Sequence, residues 1–560
     1  MATVATKLDI AQRASYVSNA SQAKEGDYVD MKTPDVEAGA LREGGAPRLI
    51  SKDYFGVIAQ YAAVGLVDAV LPATIYPFLQ NYLNTNGATY VTASTLVQLP
   101  WSFKFFYGVL SDCLPIFGFR RRPYMVLGWT ICIIMLLVMG FTPMGDPYWA
   151  TPEDAKIDID ADPEGYAAAV ARANPSAPTS GSKYILLMMF SAFGYLMSDV
   201  CADAMVVELA QREPLAVRGT TQSAIYSTRT AFNIVGQLIV GFAFNGHEYG
   251  GDFDFSLSFP TLMLIIGICM IPVIPITWFF IKEEKHEAAV FSEYMADLWR
   301  MVQTRAVYQI MFYQFFANMF TSITYTASSP VQSILVNVTP INNTLSSIIS
   351  SFAFMLGIAA TGKYGLHWNW RSMIVFTGAL VILLDGLTTF ITVWNAFRSQ
   401  WFWLGVPIAA QLPYGVNFLI GTFVIVEIAD EGHEGAMYGL LTTVSNLSSP
   451  FAATLTKIID RNWDLSNERI KTDTNDVRWD LTYTILIMYA SSVFSWVFLY
   501  FLPRQKEETQ ELKRNGGSNK LIGFVTVVFA FFALVWSVMT NLMGIFDSTS
   551  CLIIAGGDGC

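Results

Sequence analysis

Six ionisable side chains stand within long apolar stretches of this 560-residue chain: Asp68, Lys104, Asp199, Asp203, Arg229 and Asp385. If those stretches cross a bilayer, each charge costs at least ~2.5–3.5 kcal/mol at the membrane centre and needs a reason to be there. Asp199 and Asp203 are one helical turn apart and share a face. Counted inward from the loop they share, Asp199 and Arg229 each lie ten residues deep, roughly 15 Å at about 1.5 Å per residue. Carboxylates and a guanidinium at one depth suit a proton site, a bound amine and a bound carboxylate. The alternative is an ion pair that only staples a hairpin, but three charges at one depth exceed what a staple requires. Lys104, nearer one end of its span, either joins a binding site or snorkels to the interface. Asp68, central in the first stretch, reads as a proton site or a partner for Lys104. Asp385 reads as a structural, helix-packing group.

The elements that position these residues follow from composition. Charged residues make up 14% of the chain against a globular norm of about 25%, and 53% is hydrophobic. That excludes an ordinary soluble enzyme and a disordered scaffold. The net charge of −11 argues against a nucleic-acid binder. Apolar runs of about 20 residues, enough to cross a ~30 Å bilayer core, recur along the chain. Spans are expected near Phe55–Phe78, Tyr90–Leu110, Pro123–Phe141, Tyr184–Leu209, Thr220–Phe244 and Leu257–Ile281. Six more follow near Val307–Pro330, Leu345–Tyr364, Ser372–Phe397, Trp401–Glu427, Met437–Ile459 and Leu481–Leu502. Lipid cannot satisfy open backbone groups, so all must be helices. The expected fold is an all-α polytopic membrane protein: two six-helix bundles related by pseudo-twofold symmetry, plus an extra C-terminal helix. Its divisions are a cytosolic tail (1–53), an N-terminal bundle (54–281), a cytosolic linker (282–306) and a C-terminal bundle (307–502). A cytosolic segment (503–520), an apolar run that would add a thirteenth span (521–546) and a tail (547–560) complete it.

Lys and Arg set the orientation. Arg120, Arg121 and Arg122, the linker and the segment after the twelfth span are basic, whereas loops Asn81–Thr89, Asn245–Ser256 and Val331–Thr344 hold no Lys or Arg. This puts the N-terminus in the cytosol. Loop Asp460–Asp480 disagrees, holding Arg461, Arg469, Lys471 and Arg478 on the outer side, which a folded cap would explain. The first 50 residues contain no apolar core of a secretory signal, and Met1–Lys24 reads as a plain cytosolic tail rather than a transit peptide. The acidic, Ala- and Pro-rich loop Thr142–Lys183 is expected to be poorly ordered. Cys132, Cys201 and Cys269 lie in spans and are expected to pack as small apolar groups. Cys551 and Cys560 close a Gly-rich tail, either as a disulfide or as two free thiols. Asn337 and Asn342 begin sequons too close to the membrane for glycosylation to be expected.

The two halves repeat. The fourth span ends Val206-Val207-Glu208-Leu209-Ala210, and the tenth ends Val424-Ile425-Val426-Glu427-Ile428-Ala429. Each is followed by a short loop and a helix-opening glycine, Gly219 and Gly435. Gln60 to Pro77 matches Gln314 to Pro330, and Arg122-Pro123 corresponds to Trp370-Arg371. Parallel six-span repeats describe a transporter that rocks its halves around a midplane site. Asp112 and Arg120–Arg122 sit where one helix must slide past another and read as gating residues. Glu208 and Glu427, at helix ends, either pair across that gate or are simply solvated.

The run from Leu99-Pro100-Trp101-Ser102-Phe103-Lys104 through Gly108-Val109-Leu110-Ser111-Asp112 to Gly118-Phe119-Arg120-Arg121-Arg122-Pro123-Tyr124 resembles the signature of the folate–biopterin transporter family. That family lies within the major facilitator superfamily. Gly108, Asp112, Gly118 and Arg120–Arg122 fit the superfamily's second-loop pattern, with Cys113–Phe117 lengthening the gap. Asp199-Val200-Cys201-Ala202-Asp203-Ala204, leading to Glu208, resembles the family's fourth-helix acidic motif. The resemblance covers about Tyr54 to Leu502 and implies transport of folates or related pteridines. A carboxylate can accept two adjacent pteridine N–H groups, an Arg suits a folate's carboxylates, and flat rings stack on aromatics. Tyr76, Trp101, Tyr195, Tyr226, Tyr325 and Tyr414 are candidate platforms. The hydroxyl-rich stretches Thr321–Ser329 and Thr442–Ser449 mark either a wet cavity or close helix packing.

An enzyme is not expected. The four histidines, His247, His286, His367 and His433, fall in four loops without metal spacing, and no loop has the pattern that cradles nucleotide phosphates. The chain reads as a monomeric, proton-coupled secondary transporter with no cofactor. Its partners are a small-molecule substrate, protons and the lipid bilayer, with no nucleic acid. The plasma membrane is the expected location, with an organellar membrane as the alternative. The competing functions are carriage of another small organic solute, or a receptor or sensor on the same scaffold.

Overall fold

The computed structural model describes residues 39–84, 93, 96–154, 157, 162–249, 251, 253–287, 290–336, 338, 340–430, 433–460, 462–465, 469–470, 472–543, 549 and 552. The N-terminal half consists of α1 (Phe55–Ile75), α2 (Lys104–Cys113), α3 (Arg122–Phe141), α4 (Ser182–Gln211), α5 (Thr220–Ala243) and α6 (Phe259–Phe279). After a linker helix at Phe291–Val302 come α7 (Arg305–Thr321), α8 (Pro340–Tyr364), α9 (Trp370–Val393), α10 (Gln400–Ile428), α11 (Glu434–Asp460) and α12 (Asn475–Ser495). A short polar helix, Lys506–Asn515, precedes α13 (Lys520–Met543), the expected extra helix. One face of α13 packs Phe529 against Phe315 and Phe316, and its other face exposes Phe524 and Phe531 as a lipid-facing surface would.

Helix pairing carries the pseudo-twofold. α1 packs on α5 and α3 on α4; in the second half α7 packs on α11 and α9 on α10. Between the halves α2 meets α11 and α5 meets α8, which are symmetry mates. Among the described residues eight helices, α1, α3, α4, α6, α8, α9, α10 and α12, are long and apolar enough to cross a membrane. The four inner helices α2, α5, α7 and α11 are too short or too polar. They carry Lys104, Arg229 and hydroxyls that face the interior, so they need no apolar perimeter; the acids Asp68, Asp199 and Asp203 sit on α1 and α4.

Two of the inner expected spans are broken. The second enters α2 through a tight 3₁₀ turn, Leu99–Phe103, that carries Pro100; Tyr90, its expected start, lies outside the described residues. The seventh stops at Thr321 and resumes as short turns at Ser328–Pro330 and Val331–Leu335. Backbone freed in a membrane must find partners. Here the Thr324 amide donates to Thr456 Oγ1 (3.2 Å) and the Thr326 amide to Asp460 Oδ2 (2.6 Å), both on α11.

Loops on the face away from the linker form caps. The loop Thr142–Lys183, expected to be poorly ordered, contains a helix at Pro163–Arg172, whose Arg172 bonds Asp154 (2.5 Å). The amides of Tyr148 and Asn174 bond the carbonyls of Tyr82 and Tyr148, and Trp149 meets Tyr166 edge-on. These aromatic anchors outweigh the acidic composition. In the Asp460–Asp480 segment the described arginines are paired with acids. Arg398 and Arg478 both grip Asp473, and Arg469 pairs with Asp480 (2.6 Å). That is how a face otherwise poor in cations tolerates them; Arg461 and Lys471 lie outside the described residues. Cys132 and Cys201 are buried as expected, but Cys269 is exposed, on the same side of α6 as the exposed Ile265 and Ile268. Asn337, Cys551, Cys560 and Met1–Lys24 lie outside the described residues.

Candidate functional site

The intramembrane charges form one ladder. Asp68 Oδ2 lies 3.4 Å from Arg229 Nη2, and Arg229 Nη1 lies 3.5 Å from Asp199 Oδ1. Asp199 Oδ2 accepts from Lys104 Nζ (2.8 Å), which also reaches Asp203 Oδ2 (3.1 Å). The rungs end on hydroxyls: Tyr195 donates to Asp68 (3.0 Å), and Tyr61 (2.6 Å) and Tyr226 (3.3 Å) donate to Asp203. Asp199 and Arg229 meet at one depth, as their equal count from the loop predicts. Lys104 does not snorkel; it is 3% exposed and bridges two acids. Asp68 pairs with Arg229 rather than Lys104. Asp385 stands apart, accepting from Tyr489 (2.6 Å) between α9 and α12, a packing contact. With every group ionised, three carboxylates face two cations, so the ladder carries one excess negative charge. Uncompensated charge is costly out of water; a proton or a bound cation would cancel it.

Beside the ladder lies a cavity of about 1100 Å³ between the halves. Asp68, Trp101 and Tyr195 line it from the first half. From the second come Gln314, Asn318 and Thr321 of α7, Tyr414 and Asn417 of α10, Tyr438, Thr442 and Ser445 of α11, and Trp496. Trp101 touches both regions: it lines the cavity, and its ring centre lies 4.5 Å from Lys104 Nζ and 5.2 Å from the Arg229 guanidinium carbon. Lys104, Asp199, Asp203 and Arg229 themselves do not line the cavity. Of the candidate platforms, Trp101, Tyr195 and Tyr414 are on the wall. Tyr226 belongs to the ladder, Tyr325 is buried in a separate core, and Tyr76 is exposed. Both hydroxyl-rich stretches contribute to the wall, through Thr321, Ser322, Thr442, Ser445, Ser448 and Ser449. Tyr61, Tyr438 and Trp496 were not singled out by sequence reasoning, since nothing distinguishes them from other aromatics. The α7 wall was readable: Gln314, Asn318 and Thr321 recur at helical spacing.

At the linker face the halves are locked. A Cβ on Gly108 would stand 2.1 Å from the Gly435 carbonyl oxygen, so α2 and α11 touch backbone to backbone. Asp112 crosses the same contact. It accepts the Ala436 amide at the start of α11 (2.8 Å), bonds Tyr294 (2.9 Å) and pairs with Arg121 (2.5 Å). Burial alone would pull the Arg121 guanidinium down, but Asp112, Glu208 and Glu434 hold it well above its ordinary value. Gly118, at φ +84°, turns the loop so that the amides of Arg120, Arg121 and Arg122 all donate to Glu283 (2.7, 2.8 and 3.0 Å).

Glu427 pairs across the boundary between the halves. Arg218 Nη1 donates to both its oxygens (2.8 and 2.9 Å), and Gln510 adds a third bond (2.7 Å). Glu208 instead lies 3.6–3.7 Å from Arg42 of the N-terminal tail and from Arg120 and Arg121 of its own half. The repeat explains the asymmetry. Arg218 and Glu434 both precede a helix-opening glycine but have opposite charge, so the symmetry mate of Arg218–Glu427 sets Glu434 beside Glu208. Arginines separate those acids: Arg121 lies 3.5 Å from Glu434, and Arg42 reaches both. Segments outside the bundles clamp this layer. Arg218 donates to the Gly39 carbonyl, Lys506 donates to the Arg218 carbonyl, and Lys513 pairs with Asp430 (2.5 Å). Burial lowers the Lys506 amine to about 8, with Glu427 offsetting only part of the effect. Arg42, Arg218, Glu283, Glu434 and Lys506 escaped sequence reasoning, because charges near loop ends ordinarily face water.

The profile of the BT1 family matches residues 64–149 and 165–519. The folate-biopterin transporter of Synechocystis sp. is 23% identical over 423 residues, which cover 72% of this chain and 73% of that protein. Folate transporter 1 of Plasmodium falciparum is 18% identical over 475 residues, covering 82% and 81%. The solved structure of a major facilitator superfamily proton:xylose symporter, 12% identical, superposes with a TM-score of 0.52 over 82% of this chain and 98% of that one. That last likeness is one of fold.

Proposed function

The chain belongs to the BT1 family, and from that premise we propose that it carries a folate, a biopterin or a related pteridine across a membrane by alternating access, coupled to protons. It is a multi-pass membrane transporter, not an enzyme. The observation that carries the substrate reading is the cavity wall. Aromatic faces at Trp101, Tyr195, Tyr414, Tyr438 and Trp496 suit a flat bicyclic ring. Asp68, one oxygen held by Tyr195, is the carboxylate on that wall and can accept paired ring N–H groups. The amides and hydroxyls of α7, α10 and α11 offer the remaining donors and acceptors. The ladder's excess negative charge supports the proton reading, with Asp203 and Asp199 as carriers. Arg229, held behind the cavity wall between Asp68 and Asp199, would meet a substrate carboxylate only in a state of the cycle that opens it to the cavity. The locked linker face, taken as cytoplasmic from the charge pattern, corresponds to one end-state of the cycle. The protein would work as a monomer in the plasma membrane.

Uptake of labelled folic acid by cells producing the protein, with biopterin, amino acids and nucleosides as competitors, tests the substrate class. Competition by biopterin alone is expected. Competition by an amino acid or nucleoside instead would move the assignment to another solute. Specific binding of folic acid without uptake would point to a receptor.

A further inference from the structure

We propose that Tyr226 and Tyr438 couple proton binding at Asp203 to the contact between the two halves, an inference that rests on the proton-coupled reading above. Tyr226 is on α5 and Tyr438 on α11, and their hydroxyls lie 2.7 Å apart across the boundary between the halves. Tyr226 also bonds Asp203 Oδ1 (3.3 Å), and Tyr438 lines the cavity. Both tyrosines are nearly fully buried, at 2% and 4% exposure. The substrate wall, the acid ladder and the inter-half boundary therefore meet at one pair of hydroxyls.

The groups around Asp203 fix the direction of the chain. Tyr61 from α1 and Lys104 from α2 donate to it, Asp199 lies a turn away on α4, Tyr226 and Arg229 face the ladder from α5, and Tyr438 closes it from α11. An ionised Asp203 can only accept, so Tyr226 points its proton at it and must take its other bond from Tyr438. This gives the ordered chain Tyr438 to Tyr226 to Asp203, strengthened by the charge at its end. A proton on Asp203 removes that charge, and with it the pull that orients both hydroxyls. The bond across the boundary weakens just when the ladder loses its excess charge. Rocking the halves apart must break the same bond, so the proton favours the movement. The Tyr226 ring is held independently: it packs edge-on against Tyr61 and Phe418, so phenylalanine can replace it and keep the packing.

The test uses purified full-length protein in liposomes, with labelled folic acid as the probe and an acid-outside pH gradient. For one coupled proton, wild-type accumulation should rise about tenfold per pH unit. Tyr438→Phe and Tyr226→Phe should each bring that slope close to zero, with counterflow exchange persisting in Tyr226→Phe, which does not line the cavity, and the slope of the double variant should be no lower than that of either single one. Tyr489→Phe, whose partner is Asp385, should keep the wild-type slope. A normal slope in Tyr438→Phe and Tyr226→Phe, with wild type responding, would overturn this inference alone. A wild-type protein that exchanges folate but ignores the gradient would overturn the proton reading and the inference together.

Discussion

Glu427→Gln should unlock the linker face. Glu427 and Arg218 are 1% and 2% exposed and share two bonds of 2.8 and 2.9 Å across the halves. A hydrogen bond to a charged group contributes about 1.5–3 kcal/mol and a neutral one about 0.5–1.5 kcal/mol. The glutamine can accept one bond from the still-charged Arg218, so the loss is one charge-assisted bond plus the ion-pair attraction, roughly 3 kcal/mol. That agrees with the ~3–5 kcal/mol for removing one partner of a buried pair. The cost falls on the locked state, because in the open state both groups reach water. The equilibrium between locked and open should therefore shift about a hundredfold towards open. Spin labels at the exposed positions Val217 and Tyr364, one on each half, would read this as a distance distribution in a background without native cysteines. Wild type should show mainly the short distance, and Glu427→Gln a large long-distance population. Pairing it with Arg218→Gln should cost less than the sum of the two, since no lone buried charge remains. An unchanged distribution in Glu427→Gln would refute the claim that this pair holds the gate.

Three further outcomes follow from the geometry. Gly108→Ala places a methyl against the Gly435 carbonyl at an inter-half contact; the protein should fold normally yet lose transport, with the short distance above depleted, and normal uptake would show the contact to be dispensable. Asp203→Asn and Arg229→Ala should abolish uptake with membrane delivery intact, and full uptake by either would make that residue structural. Burial alone would raise the Asp473 carboxyl, but the bonds from Arg398 and Arg478 hold it at about 2. Because that lies below the ordinary value near 3.9, its stabilisation is complete above about pH 4 and is lost as pH falls towards 2. Thermal melting between pH 5 and 2.5 should thus show an acid-side loss that Asp473→Asn flattens, and parallel profiles would contradict this.

The helices and the twofold were legible because bilayer thickness imposes a run length, and duplication leaves matched ends such as Glu208 and Glu427. The depth of the ladder was legible for the same reason: residues counted from a shared loop fix a height. Which charges touch was not. Asp68 reads from the sequence as a proton site or a partner for Lys104, yet it meets Arg229, and the choice depends on how α1, α2 and α5 rotate about their axes. The gate was half legible. Asp112 and the arginines announce it by motif, whereas Glu434, Arg42 and Lys506 matter only because distant segments fold over them. The order in the loop after α3 came from a few aromatic anchors that composition averages away.

The most direct measurement of the central claim is protein-dependent accumulation of labelled folic acid in liposomes under an acid-outside gradient, with and without a protonophore. Accumulation above equilibrium that collapses with the protonophore is the predicted result. Failure of the purified, folded protein to move folic acid or biopterin in either condition would contradict it.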